Sequence, residues 1–311
     1  MKLLRATSIA ALCLTFVVVV VGAYVRLSDA GLGCPDWPLC YGKPIPAEVA
    51  GGHPVAKQWK EMGHRYLAGS LGFVILLLAL LAWRLRRSPR LASAILLLVL
   101  FQAALGMWTV TMLLKPAIVA AHLLGGMTIF ALLAWYALQL KPHAAAPATR
   151  ALRGPAAAAL AALVVQIALG GWVSANYAAL ACPDLPLCRG QAFPPMDFAN
   201  AFHVVRELGQ TADGALLTNE ALTAIHWLHR VFALVALAAT VWAALRARRV
   251  LRSVSNEILV LLALQLSLGV ANVAFGLPLP LAAAHTAGAA LLLLALVVLN
   301  FFSFRGLRPS S

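Results

Sequence analysis

The sequence predicts an all-α, polytopic membrane protein: eight transmembrane helices forming two parallel-repeated four-helix bundles, with both termini cytoplasmic. Three observations predict it. Hydrophobic residues make up 62% of the 311 positions and charged residues only 11%, with a mean hydropathy of +0.89, which leaves too little polar surface for a soluble domain. Eight apolar runs are each near the roughly 20 residues that a helix needs to cross hydrocarbon. A two-cysteine loop, CPDWPLCYG from Cys34 to Gly42, returns 148 residues later as CPDLPLCRG from Cys182 to Gly190.

The apolar runs fall near 7–25, 65–83, 92–113, 117–139, 155–175, 222–245, 257–276 and 281–303. The first exceeds a cleaved signal and leads into Tyr24, Arg26 and a loop instead of a small-residue cleavage site, so it is expected to be a retained helix. In an eight-helix path, Lys2, Arg5, Arg84, Arg86, Arg87, Arg90, Lys141, Arg150, Arg153, Arg246, Arg248, Arg249, Arg252, Arg305 and Arg308 share one side. The positive-inside rule makes that side cytoplasmic. The opposite side holds nine basic and nine acidic residues, so the formal charge of +14 lies on the inner face. Charge of this origin suits anionic lipid and excludes a nucleic-acid partner.

The cysteine loops then face the periplasm or an equivalent oxidising space, where Cys34 with Cys40 and Cys182 with Cys188 are expected to pair within their own loops. Structural stapling and redox chemistry both remain open for them. Cys13, within the first run, reads as a small buried apolar residue. The repeat extends beyond the loops. Gly22-Ala-Tyr-Val matches Gly170-Gly-Trp-Val, Gln102-Ala-Ala-Leu-Gly matches Gln265-Leu-Ser-Leu-Gly, His64-Arg65 matches His229-Arg230, and Ala121-His122 matches Ala284-His285. The chain is therefore expected to divide into residues 1–145 and 146–311, each a four-helix unit of the same orientation.

Of eight histidines, His53 and His203 fall in outer loops, His143 in an inner loop, and His226 beside His229. His64, His122, His229 and His285 occupy the second, fourth, sixth and eighth helices, each expected within about two turns of the outer face at 3.6 residues per turn. A lone intramembrane histidine is ordinarily a packing residue. Four at one depth in a duplicated pattern point instead to two imidazoles per bundle, the arrangement of axial ligands to a haem iron. Zinc normally takes more protein ligands than two. Gly63, Gly125, Gly126, Ala284 and Gly288 are candidates for the small residues that would admit a macrocycle. Glu61, one turn before His64, should lie beside whatever that histidine binds. Its counterpart is His226, which makes the first half the reactive one and the second an electron holder.

At these residues the chain resembles the haem A synthase family, on Glu61-x-x-His64-Arg65, His122, His229-Arg230, His285 and the outer cysteine loop. The resemblance implies oxidation of a porphyrin methyl group of haem O to a formyl group by successive hydroxylations, for terminal oxidase biogenesis. It implies that His64 and His122 receive the substrate haem and that His229 and His285 hold a haem b cofactor. Glu61 would then be the catalytic acid or base, or stabilise charge on the methyl carbon. Arg65, Arg230 and Arg26 are candidates for propionate contacts. A non-catalytic dihaem electron carrier or haem-handling module would need the same histidines without Glu61. A transporter would show paired mid-membrane helix breaks, which the runs lack. Beyond haem O and membrane lipid, the open partners are a haem O synthase, an oxidase assembly factor, a redox partner and a second copy of the chain. The segment from Gln191 to Glu220 reads as a lid or docking surface.

Overall fold

The computed structural model describes residues 1–141 and 147–305. Its elements are α1 (Lys2–Leu27), α2 (Val55–Arg84), α3 (Pro89–Thr111), α4 (Pro116–Gln139), a 3₁₀ turn (Pro147–Leu152), α5 (Arg153–Ala175), α6 (Phe198–Ala201), α7 (Asn219–Ala247), α8 (Arg252–Ala274) and α9 (Leu279–Arg305). All but α6 are long and apolar enough to cross a membrane, which gives the eight expected spans. Among the described residues the only β pairing consists of isolated bridges. His143, Arg308 and the expected boundary between 145 and 146 lie outside the described residues.

Helix starts follow local chemistry. Pro89 and Pro116 stand at the first turns of α3 and α4, where the missing N–H costs nothing. Thr218 caps α7 by accepting from the Ala221 N–H at 3.3 Å, and Glu220 sits in that first turn, favoured by the helix dipole. The helices run longer than the apolar runs. α2 begins ten residues before the run at 65, because its polar opening packs against the first cysteine loop, burying Gln58, Glu61 and Met62. Hydropathy cannot see a polar helical turn that protein covers. In consequence His64 and His229 lie nearly three turns inside α2 and α7, deeper from the helix start than the expected two turns.

In the first half, α1 packs on α2 and α4 while α3 packs on α2 and α4. In the second, α5 packs on α7 and α9 while α8 packs on the same two. The halves meet where α1 touches α9, α4 touches α5, and α4 touches α9. Alanines line the tightest seams: Ala156 and Ala159 of α5, Ala243, Ala244 and Ala247 of α7 and Ala290 of α9 share one buried cluster. In lipid, where burial of apolar surface gives little drive, such small residues allow the backbone approach that holds helices together. Large apolar side chains point outward instead, Phe73 at 76% and Leu97 and Val260 at 67% exposure among them. Cys13 belongs with these. It was expected to be buried but is exposed on α1, since its face of the helix has no neighbour.

Both cysteine loops close as expected, through disulfides Cys34–Cys40 and Cys182–Cys188. They are built alike. Tyr41-Gly42 and Arg189-Gly190 take left-handed conformations, as the two central residues of a tight reverse turn require. Asp36 accepts from the N–H groups of Tyr41 and Gly42 at 2.6 and 2.8 Å, and Asp184 from those of Arg189 and Gly190 at the same distances. The Gln191–Glu220 segment holds α6 and a bridge between Gln210 and Leu216, and its last two residues open α7. It is anchored to both halves. Buried Arg206 donates to Asn176 Oδ1 at 2.5 Å and to the Gln210 carbonyl at 3.2 Å, while Glu207 pairs with Lys115 of the first half at 2.7 Å.

Replacing Cys34 and Cys40 with serine is expected to lower thermal stability, by roughly 2–4 kcal/mol for a small loop, before it touches the cavity chemistry. Unchanged melting in detergent together with lost activity would assign the pair a redox role instead. The Gly190 N–H, with that of Arg189, holds the Asp184 carboxyl below the usual carboxylate range. A depressed folded value stabilises the loop above the unfolded value of about 3.9 and is lost as pH falls through the folded one. Asp184→Asn should therefore loosen the turn at neutral pH, read as faster amide exchange at Arg189 and Gly190, whereas the unaltered loop should loosen only as pH falls below the ordinary carboxylate range.

Candidate functional site

A cavity of about 1060 Å³ runs through the bundle, lined by His64, His122, His229 and His285 together with Glu61, Arg65, His226 and Arg230. Its size reaches the top of the range of about 300–1,000 Å³ for small-molecule sites. His64 of α2 and His122 of α4 come from the first half and His229 of α7 and His285 of α9 from the second, so each half contributes two. The Nδ1 atoms of His64, His122 and His285 are buried without a partner. Buried nitrogens in that state are costly, and a ligand that engages the rings changes the balance.

Four glycines set the rings. A Cβ at Gly22 of α1 would lie 2.8 Å from His64 Cε1, one at Gly106 of α3 3.3 Å from His122 Cε1, one at Gly170 of α5 3.0 Å from His229 Cε1, and one at Gly269 of α8 3.2 Å from His285 Cε1. Each histidine thus turns the same edge toward a glycine on the adjacent helix. These differ from the expected set. Gly63 faces open space, Gly126 meets Val19, and Gly125 and Gly288 face the side chains of Gln102 and Gln265. The signal for the right four was present in the repeat: Gly22, Gly170, Gly106 and Gly269 all stand in its matched fragments.

Glu61 is 4% exposed. Its Oε2 accepts from the Cys34 N–H at 2.8 Å and its Oε1 from Arg65 Nη2 at 2.5 Å. Arg65 also donates to the carbonyls of Asp36 and Leu39 at 2.8 and 2.7 Å, so the guanidinium ties the cysteine loop to α2. Arg230 does the same in the second half, donating to the carbonyls of Asp184, Leu187 and Cys182. Arg26 donates to the Ser174 carbonyl at 3.0 Å and stacks on Tyr177, joining the halves. His226 occupies the place of Glu61: the Cys182 N–H lies 3.3 Å from its Nδ1, and Arg230 Nε 3.1 Å from its Nε2. A carboxylate accepts both donors, but a neutral imidazole accepts through only one nitrogen. The first half alone carries a buried anion at this point.

The walls differ as well. In the register that aligns His64 with His229 and His122 with His285, Gly69 and Gly72 of α2 and Ala103 of α3 correspond to Leu234 and Leu237 of α7 and Leu266 of α8. All six line the cavity. At these three positions the first half carries the smaller side chain, whereas Leu71 against Ala236, both also lining the cavity, runs the other way.

Residues 5–297 match the model of the family described as cytochrome oxidase assembly protein (COX15-CtaA). The chain belongs to that family. A relative from Shewanella oneidensis named "Heme A synthase" is 42% identical, the match covering 94% of each chain. Two others of that name are 30% identical: one from Rhizorhabdus wittichii, over 91% of this chain and 89% of its own, and one from Caulobacter vibrioides, over 95% and 94%. Membership and the eight apolar helices make this a multi-pass membrane protein.

Gly22→Ala is expected to force the His64 ring aside, since no Cβ sits at 2.8 Å from a ring carbon. Gly170→Ala should do the same more mildly to His229, at 3.0 Å. Spectra of bound pigment should change in both variants at unchanged protein yield. Wild-type spectra in both would show that the glycines serve helix packing only.

Proposed function

We propose that this protein is a haem A synthase, oxidising a methyl group of haem O to a formyl group through successive hydroxylations and loss of water from the resulting diol. The observation that carries the proposal is the pairing of four cavity histidines, two per half, with a buried carboxylate in one half only. Two imidazoles per half suit a metal that brings its other ligands with it, as a porphyrin iron does. The ring-edge glycines and the size of the cavity fit a flat macrocycle.

His64 and His122 hold the substrate haem in the first half, residues 1–145, where Gly69, Gly72 and Ala103 leave room. His229 and His285 hold haem b in the second, residues 146–311, where leucines close the same seam. Haem b, when bound, supplies a one-electron redox centre. Glu61, held by Arg65 and the Cys34 N–H, presents fixed negative charge beside the macrocycle edge. It stabilises positive charge that develops on the methyl carbon, or takes the proton, and such preorganised groups are worth roughly 2.7–4 kcal/mol. The first cysteine loop covers the site through Trp37 and Pro38, which line the cavity. The reciprocal contacts of α1 with α9 and of α5 with α4 support reading the halves as parallel repeats. The basic residues at the other end and the closed disulfides support placing the cysteine loops on the outer face of the cell membrane.

Pigment analysis of cells expressing the full-length protein with and without a supply of haem O tests the reaction, because the cell membrane provides the electron acceptor and oxygen source that this four-electron oxidation needs. Haem A should form, and failure to form it with both histidine pairs intact would leave a dihaem carrier. Glu61→Gln should fold, because Arg65 keeps its two loop carbonyls, retain second-half haem, and lose haem A formation by about 10²–10³-fold. His229→Ala and His285→Ala should strip that haem. His226→Gln should affect turnover far less than Glu61→Gln, and the reverse order would exchange the roles of the halves.

A further inference from the structure

We infer that a window between α2 and α3, framed by Gly69 and Ala103, lets the isoprenoid chain of the substrate haem pass from the first-half cavity into the bilayer, and that Leu234 and Leu266 close the same place in the second half. The inference rests on the assignment of the first half to haem O and of the second to haem b. The two pigments differ at one ring carbon, which bears a long hydroxylated isoprenoid chain in haem O and a vinyl group in haem b. Tyr66, Phe73, Leu77 and Leu80 of α2 and Leu97, Leu100 and Phe101 of α3 are exposed, which marks the lipid-facing side of this helix pair. Gly69 stands one turn from both Tyr66 and Phe73, and Ala103 one turn from Leu100, so both border that side. Tyr66, Gly69, Leu100 and Ala103 also line the cavity, which therefore reaches the lipid-facing side at this seam. Gly69 lies fifteen residues before the end of α2 at Arg84, and Ala103 fourteen after the start of α3 at Pro89. The two stand at nearly one depth.

Nothing in the fold demands side chains this small. A Cβ at Gly69, or at Gly72 one turn on, would have no atom within 4 Å, unlike those at Gly22 and Gly170, and neither glycine has a positive φ. Glycine is the least favoured helical residue after proline, and here neither close packing nor conformation calls for it. The cavity is built for a ligand on separate grounds: buried Gln102 lines it with Nε2 unpartnered, and so do His64 and His122 with Nδ1. In the second half Leu234 and Leu266 stand thirteen residues before Ala247 and fourteen after Arg252, at the corresponding level, and both line the cavity. The contrast is confined to that level. One turn outward Tyr66 answers Val231, and one turn inward Gly72 and Leu100 answer Leu237 and Ala263. Leu71 against Ala236 is a buried difference on the face of His64, away from the window. Hydrocarbon gains little by leaving lipid for a protein interior, so a chain that can reach the bilayer stays there and only the macrocycle has to be enclosed.

The test uses the full-length protein purified with its second-half haem and titrated with ferric haem O or ferric haem b, absorbance of the bis-imidazole complex reporting first-half binding. In Gly69→Leu/Ala103→Leu, affinity for haem O should fall about 10–100-fold and that for haem b less than about threefold, as expected when a chain is forced into filled space. Gly69→Leu alone should act in the same direction. Leucine there enters open space and favours the helix, so both variants should keep the second-half haem. Equal loss for the two pigments would make these residues part of the wall around the ring and overturn the inference, as would unchanged binding of haem O. On a His64→Ala background, Leu234→Gly/Leu266→Ala should retain haem O beside haem b in cells that make both, whereas His64→Ala alone should retain haem b only. Continued exclusion of haem O would overturn closure by the leucines. First-half binding that survives His64→Ala in the titration would remove the ligand assignment itself, whatever Gly69 does.

Discussion

The approach of each cavity histidine to a glycine on the neighbouring helix is the contact on which the rest of the site depends. A ring edge can lie against a helix backbone only where no Cβ intervenes, and Gly22, Gly106, Gly170 and Gly269 provide that at four matched places. The consequence reaches beyond the rings. Helices whose side chains are this small at the crossing come close enough to gain backbone and van der Waals contact, which in hydrocarbon replaces the hydrophobic drive available in water. The same residues therefore serve helix association and the orientation of four imidazoles, so a substitution at any of them acts on both.

At the loop end, polarity is managed by pairing. Glu61 and Arg65 form a buried ion pair, side-chain exposures 5% and 12%, and removing one partner of such a pair ordinarily costs about 3–5 kcal/mol. The pair is retained inside a larger set: the carboxylate also holds the Cys34 N–H, and the guanidinium two loop carbonyls. Disulfide, Asx bracket and arginine thus converge on one short loop that covers the cavity. In the second half the same construction stands with His226 in place of the carboxylate. The scaffold does not need the carboxyl group, so its presence in the first half calls for a reason outside the scaffold, and the proposed chemistry of that half supplies one.

How far this was legible in the sequence varies by physical cause. Helix number and the two disulfides were readable, because apolar length and loop-local cysteine spacing are properties of contiguous residues. The start of α2 was not, since Gln58 and Lys60 look like loop until the cysteine loop is seen to cover part of that turn. An apolar residue such as Cys13 reads as interior because apolar and buried coincide in soluble proteins, whereas here its face looks outward. The ring-facing glycines stand out as repeat marks but their role does not, because Gly63 and Gly125 lie near the histidines in sequence while the ring contacts are made across helices.

The internal duplication turns that limitation into a tool. What the two halves share, including the histidines, the ring-facing glycines, Gln102 with Gln265 and the arginine-tied loops, is the common scaffold of the cavity. What they do not share is where the proposed division of roles has to come from. The differences at the cavity wall include Glu61 against His226, Gly69, Gly72 and Ala103 against three leucines and, in the opposite sense, Leu71 against Ala236. The exchange at Glu61 and His226 replaces a carboxyl group by an imidazole on the same two donors. These exchanges alter no helix and no crossing, whereas the Gln191–Glu220 segment with α6 is an addition to the second half alone, and Glu207 ties it back to Lys115 of the first.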